Sequence, residues 1–159
     1  MIHISSSLED YLEGILIIER TQPVARVKDV AALLKVKSPS VNESLQKLSR
    51  KGLVRHQRYG SVELTPQGRE LAKKVYRRHT TLKKFFNDVL GVAEARAEED
   101  ACKAEHHLSA QTIERMVQLI TFIERCPQKR PDWLRNFYSF ARTKKMPAAR
   151  CKRKTARKK

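Results

Sequence analysis

Residues 100 to 107 read Asp-Ala-Cys-Lys-Ala-Glu-His-His. On a helix, Cys102, Glu105 and His106 fall at i, i+3 and i+4, so a thiol, a carboxylate and an imidazole project from one face within a single turn. A glutamate beside a histidine is most often a solvated surface. A thiolate added to the pair makes a borderline ligand set, suited to a divalent transition metal and not sought by calcium or magnesium. Three ligands are an incomplete site, and the rest of the chain must supply the others.

The elements that must hold this turn follow from capping and apolar spacing. Ser7 is the expected cap of a helix from about Leu8 to Arg20, with Leu8, Tyr11, Leu12, Ile15 and Ile18 buried. Asp10 and Glu13 lie on a second face of that helix and, taken alone, read as ordinary solvation, Asp10 being favoured near the helix amino terminus. Thr65-Pro66 opens a long helix reaching about Leu90, whose buried stripe is Leu71, Val75, Leu82, Phe86 and Val89. His79 falls on that stripe, where a lone histidine is usually a satisfied core residue. Gly91 closes the helix, and the ligand-bearing helix is expected from about Glu94 to Leu108. Ser109 then caps a last amphipathic helix with Ile113, Met116, Val117, Ile120 and Ile123 on one face, ending at Cys126-Pro127. These two helices carry more apolar surface than a small domain needs, which points to a helical dimer interface. Beyond them Trp133, Phe137, Tyr138 and Phe140 fit a short docked helix.

Between the first helix and the long one lies a second kind of chemistry. After a turn at Thr21 to Ala25, Val27 to Leu34 reads as a short helix. Ser38-Pro39 starts another, with Ser38 as N-cap, and Gly52 ends it after Arg50. Short helix, tight turn and amphipathic helix make a helix-turn-helix. Leu53 to Arg58 and Ser61 to Thr65 read as strands joined at Tyr59-Gly60, a hairpin directly after the recognition helix, which is the winged form of the motif. Ser38, Pro39, Ser40, Asn42, Glu43 and Ser44 stand at the start of the recognition helix, the last four of them available to base edges. Lys47, Arg50, Lys51, Arg55 and Arg58 suit phosphates.

Charge supports that reading. The 159 residues carry a net charge of +17, a strong prior for an anionic polymer as partner. Ten of the 34 basic residues and none of the 17 acids lie from Arg142 to Lys159, leaving +7 for the rest, so this tail reads as a disordered basic arm. Forty per cent hydrophobic residues suffice for a buried core. There is no apolar run of membrane-spanning length, and the amino terminus lacks the pattern of a secretory signal, which places the chain in the cytoplasm. Cys102, Cys126 and Cys151, an odd number widely spaced, fit reduced thiols. The expected architecture is mainly α: a winged helix-turn-helix over residues 1–70, a helical metal-binding and dimerisation domain over 71–141, and the tail over 142–159.

A winged helix whose first helix holds Leu-Glu-Asp10-Tyr-Leu-Glu13, followed by Tyr-Arg-Arg-His79 and then Cys102-Lys-Ala-Glu105-His106-His-Leu-Ser, resembles the diphtheria toxin repressor family of metal-dependent transcriptional repressors. The resemblance runs from about Ser7 to Cys126 and is closest to the short, two-domain manganese-transport type, without the carboxy-terminal barrel domain of the iron-responsive members. It implies metal ligands at Asp10, Glu13, His79, Cys102, Glu105 and His106, with Glu13 and Glu105 bridging a pair of ions in the manganese type. Cys102 departs from that type, which has glutamate there, while Asp10 and Lys83 depart from the iron type, which has methionine and an acid. The resulting hybrid leaves one or two ions open. The softness of the thiolate makes Fe(II) the first expectation and Mn(II) the second, with other divalent transition metals possible.

The resemblance further implies a non-enzymatic repressor of metal homeostasis. It would bind a palindromic double-stranded DNA operator as a homodimer, with no membrane and no small-molecule substrate. Asp10 and Glu13 belong to the DNA-binding half, and Cys102, Glu105 and His106 to the dimerising half, so metal binding would clamp one against the other. The alternative is a metal-independent basic winged-helix DNA-binding protein; a metallohydrolase is disfavoured because no substrate-anchoring motif accompanies the ligands.

Overall fold

Three consecutive serines open the first helix, and any of them can cap it. In the computed structural model, which describes residues 4–56, 60–127 and 131–146, Ser5 is the one that does. Its hydroxyl accepts from the Leu8 amide at 3.4 Å, so α1 runs Ser6–Glu19 and begins two residues earlier than a cap at Ser7 implies. A two-residue strand β1 (Ala25–Arg26) follows, then α2 (Val27–Leu34) with the expected limits. In α3 (Ser38–Arg50) the N-cap position falls to Lys37, which offers no capping side chain, and Ser38 is already helical. Gly52, at φ +70°, ends the helix with paired bonds from Gly52 N–H to Ser49 O and from Leu53 N–H to Leu48 O, a Schellman motif.

Strands β2 (Val54–His56) and β3 (Ser61–Leu64) form the wing, paired antiparallel with Val54 opposite Leu64 and His56 opposite Val62. β1 adds to the far edge of β3, giving the order β1-β3-β2. Sequence alone read Ala25 as part of a turn, because two residues are too few for an alternating pattern to register. Arg58 and Tyr59 lie outside the described residues.

Thr65 caps α4 (Pro66–Lys84) by accepting from the Gly68 amide at 3.0 Å, while its hydroxyl approaches Gly52 O and Leu53 O at 2.8 and 3.1 Å. The first turn of α4 thereby presses on the chain leaving α3, and a Cβ at Gly68 would meet Leu53 O at 1.9 Å. Gly68→Ala is expected to lower stability in urea unfolding by about 1–3 kcal/mol, since backbone rather than a flexible side chain must give way. An unchanged midpoint and slope would show that the contact is easily relieved.

α4 threads both halves. Its Ala72 belongs to the core formed by α1, α2, α3 and the sheet, and its Leu82 to a second core with Ala101 and Ile113. The helix continues as a π-helical turn over Phe85–Val89 rather than as regular α-helix. That wider turn sends Phe86 to the second core and Phe85 with Val89 to a third, shared with Ile120, Ile123 and Leu134. α5 spans Glu94–Ala104, four residues shorter than its apolar pattern suggests. Ser109 must be extended (φ −68°, ψ 152°) to cap α6 (Ala110–Glu124), so the chain leaves the helix beforehand, with His107 N–H turning back to Ala104 O.

The last helix, α7 (Asp132–Thr143), docks through Leu134 and Tyr138, leaving Trp133, Phe137 and Phe140 exposed. It runs two residues past Ala141, into the stretch assigned to the tail; residues 147–159 lie outside the described residues. No helix among the described residues is long and apolar enough to cross a membrane.

Candidate metal centre

Three helices converge where α4 passes from the first core to the second. α1 contributes Glu9, Asp10 and Glu13 from one face, within a single turn. α4 contributes Arg78, His79 and Lys83, and α5 with its closing turn contributes Glu98, Glu105 and His106. Glu105 sits at the C-cap of α5 and His106 just beyond it, where its imidazole meets Glu9 and Asp10 of α1.

Glu105 is the centre of the arrangement. It is fully buried, and neither carboxylate oxygen accepts a hydrogen bond. His79 Nδ1 lies 3.1 Å from its Oε2 and His106 Nε2 lies 3.3 Å from its Oε1, ionic approaches without hydrogen-bond alignment. Two groups of donor atoms result, each within 4.8 Å of one another: Asp10, Glu105 and His106, and Glu13, His79 and Glu105. Glu105 is common to both. A buried carboxylate without donors is costly unless a cation compensates it. A carboxylate with no hydrogen-bond donor, met by imidazoles and further acids, is what a divalent cation would compensate, so the donor set fits one.

The protonation pattern describes what holds the site together without metal. His106 presents Nδ1 to Glu9 Oε2 at 2.7 Å and Nε2 to Asp10 Oδ1 at 2.8 Å. A carboxylate only accepts, so a ring with one at each nitrogen is an imidazolium. Burial works against that charge, but the Glu9 and Asp10 carboxylates outweigh it and raise the His106 pKa. The Glu105 carboxylate, helped by Glu13 and Glu98 against burial, raises that of His79 to about 9. Burial and the neighbouring Glu105 push Glu13 up to about 7, and burial also raises Asp10, opposed by His106. Protons on the imidazoles therefore stand where positive charge is required.

Five of the six residues proposed as ligands from sequence are brought together. Cys102 is not: its side chain is exposed and outside both groups. Burial, with Glu105, Asp10, Glu13 and Glu98 adding their charge, raises its thiol pKa and keeps it protonated. Sequence reasoning missed Glu9, Arg78 and Glu98 as members of the network. Glu98 carried a signal, since Glu94, Glu98, Cys102 and Glu105 recur at spacings of 4, 4 and 3 along one face of α5. Glu9 and Arg78 carried none beyond adjacency to Asp10 and His79.

The second proposed site is the outer surface of α3. Val41, Leu45 and Leu48 face the core. Ser38, Pro39, Ser40, Glu43, Lys47 and Arg50 are exposed and Asn42 and Ser44 half-buried. Glu43 and Lys47 form an exposed ion pair at 2.7 Å, which holds the Glu43 carboxyl below its ordinary pKa. Arg55 lies on β2 and is exposed.

Comparison with known proteins bears on both sites. Residues 3–62 match the family described as the iron-dependent repressor, N-terminal DNA binding domain. Residues 65–134 match its companion, the iron-dependent repressor, metal binding and dimerisation domain. The helix-turn-helix transcriptional regulator MntR of Lysinibacillus sphaericus is 36% identical over 121 residues, covering 76% of this chain and 86% of that protein. An uncharacterised helix-turn-helix regulator of Methanocaldococcus jannaschii is 40% identical over 114 residues, covering 70% of this chain and 90% of that protein.

Among solved structures, a manganese-dependent transcriptional repressor in complex with manganese superposes with a TM-score of 0.67 at 31% identity over 76% of this chain. The chain spans 55% of that repressor's length, and 60% of that of T. acidophilum IdeR, which matches at a TM-score of 0.66 and 26% identity over 82% of this chain. With a winged DNA-binding half, a dimerisation half and a cation-suited cluster between them, the chain belongs to the iron-dependent repressor family of metal-dependent, DNA-binding transcriptional repressors.

Proposed function

We propose that this repressor is activated by Mn(II), with Fe(II) as the competing ion, held by Asp10, Glu105 and His106 on one side and by Glu13, His79 and Glu105 on the other. The observation that carries this reading is Glu105, buried without hydrogen bonds and common to both groups of donors. The softness argument for Fe(II) rested on Cys102, which stands outside both groups; carboxylates and imidazoles are a harder set, which Mn(II) accepts. The manganese regulators among its relatives point the same way. Cys102 is then a neighbour of the centre, and joins it only by losing the proton that burial and the surrounding acids hold in place.

A bound divalent cation supplies the positive charge that lets the acids of α1 and of the α5–α6 turn share one small volume. Asp10 and Glu13 tie the centre to α1, and hence to the core that carries α3; His79 ties it to α4. Glu105 and His106 tie it to the dimerising half. Fixing α1 against these elements fixes where each recognition helix stands in a dimer. We propose that the spacing so set matches successive major grooves of a palindromic operator, about 34–36 Å apart. Ser40, Asn42, Glu43 and Ser44 would meet base edges, with Ser38 and Pro39 at the DNA-facing start of the helix, and Lys47, Arg50, Arg55 and Arg58 would meet phosphates. We place the division near residue 70, within α4, and the protein in the cytoplasm as a regulator of metal-ion homeostasis.

Anaerobic titration of the metal-free protein with Mn(II), then Fe(II), read by fluorescence anisotropy of a promoter-pool DNA at fixed salt, tests this. A rise in sequence-selective affinity of at least about 10-fold, larger for Mn(II), is the expected result. Binding indifferent to both ions, steep in salt and without sequence preference would replace it with a metal-independent basic winged-helix protein.

A further inference from the structure

Each of the two histidines at the centre is gripped from behind in the same way. His79 turns Nδ1 inward to Glu105 and presents Nε2 to Glu98 Oε1 at 3.1 Å. Lys83 in turn holds Glu98 Oε2 at 2.9 Å and reaches Glu94 at 3.2 Å. His106 turns Nε2 inward to Asp10 and Glu105 and presents Nδ1 to Glu9 Oε2, which also accepts from Arg78 Nη2 at 2.5 Å. On both sides the order is the same: inner carboxylates, imidazole, outer carboxylate, fixed cation. The inward nitrogen differs between the two rings, Nδ1 in one and Nε2 in the other, so the outer groups select opposite tautomers.

We infer that Glu98 and Glu9, backed by Lys83 and Arg78, are positioning residues that keep the outer nitrogen of each histidine protonated and its inner nitrogen free to bind metal. A ring whose outer N–H is fixed by a carboxylate has its lone pair aimed inward and its basicity raised, and loss of such a partner costs about 10- to 100-fold in metal affinity. A cation behind each carboxylate, Lys83 for Glu98 and Arg78 for Glu9, anchors it against its imidazole. Glu98 is half exposed and Glu9 only 16% exposed, so Glu9 has the larger part. This inference rests on the metal centre proposed above, and it adds residues that touch no metal.

The test is Zn(II) binding to the full chain, measured by competition with a chromophoric chelator, together with imidazole nitrogen-15 shifts of the diamagnetic Zn(II)-loaded protein. Wild type is expected to show His79 protonated on Nε2 and His106 on Nδ1. Glu98→Ala is expected to lower affinity about 10-fold and disturb the His79 shifts alone. Glu9→Ala is expected to lower it toward 100-fold and disturb those of His106 alone. Glu98→Gln and Glu9→Gln keep an accepting carbonyl and should recover most of the affinity, which a general loss of structure would not allow. Alanine variants with wild-type affinity and shifts would overturn the positioning role while Glu105→Gln still loses Zn(II). Zn(II) binding that Glu105→Gln leaves untouched would overturn the metal centre and the positioning role together.

Discussion

Glu105→Gln is expected to remove metal activation altogether, with the protein still folded and still binding DNA weakly. Glutamine has the shape of glutamate and no charge, and Glu105 is the one residue shared by both groups of donors. A single substitution therefore strikes every proposed coordination position at once, whereas Asp10→Ala or Glu13→Ala strikes one side. Metal affinity should fall by more than the ~10- to 100-fold that an outer partner is worth, because a group in the centre itself is lost. The readout is thermal unfolding with and without Mn(II). Ligand at about 100 times its dissociation constant stabilises the folded form by about 2.7 kcal/mol, or roughly 5–10 °C in a chain of this size. Wild type should show that shift and Glu105→Gln none. In anisotropy the variant's DNA affinity should match that of metal-free wild type and keep its salt dependence, since α3 and the wing are untouched. A variant that still tightens on operator DNA when Mn(II) is added would show that the two halves are coupled by something other than this carboxylate.

Where local chemistry decides, the fold was legible in the sequence. Thr65-Pro66 and Ser109 mark helix starts because each carries its capping oxygen, and α2 has the limits its apolar spacing implies. Where several residues offer the same local chemistry, context chooses: Ser5 took the cap for which Ser7 was equally suited. β1 was invisible because its stability comes from β3, 37 residues later in the pairing of Ala25 with Val62. Five of the six ligand candidates converge because their elements are long and strongly patterned. Cys102 does not, although helical spacing alone puts it with Glu105 and His106. Spacing places Cα atoms on a face but does not decide burial: Glu105, still helical in backbone at the C-cap of α5, is fully buried, while Cys102 one turn earlier is exposed. Glu9 and Glu98 were missed for a related reason: their partners, His106 and His79, lie on other elements, 97 and 19 residues away.

Metal affinity is expected to climb steeply with pH, by at least roughly 1000-fold between pH 6 and pH 8. The metal-free centre binds protons where it would bind metal: His79 titrates at about 9 and Glu13 at about 7. At pH 7 an incoming ion must expel the proton of His79, about half a proton from Glu13 and the proton that His106 carries between Glu9 and Asp10, so affinity gains at least one to two powers of ten per pH unit there. The gain slackens above pH 7 as Glu13 ionises, and the part due to His79 levels off above pH 9. The stability of the metal-free protein runs the other way. Both groups have folded pKa values above their unfolded ones. The contribution of His79 is complete below about 6.5 and lost as pH rises through about 9, while Glu13 withdraws its share between about 4.5 and 7. Metal-free protein should therefore melt at falling temperature as pH rises from 5 to 9, and Mn(II) should restore most at the alkaline end. Calorimetric titration in two buffers of different ionisation enthalpy counts the protons released: about one and a half at pH 7 from His79 and Glu13, and more from His106. Release of none would mean that the imidazoles are already neutral in the metal-free state, and that the carboxylates around Glu105 are held apart by something other than protons.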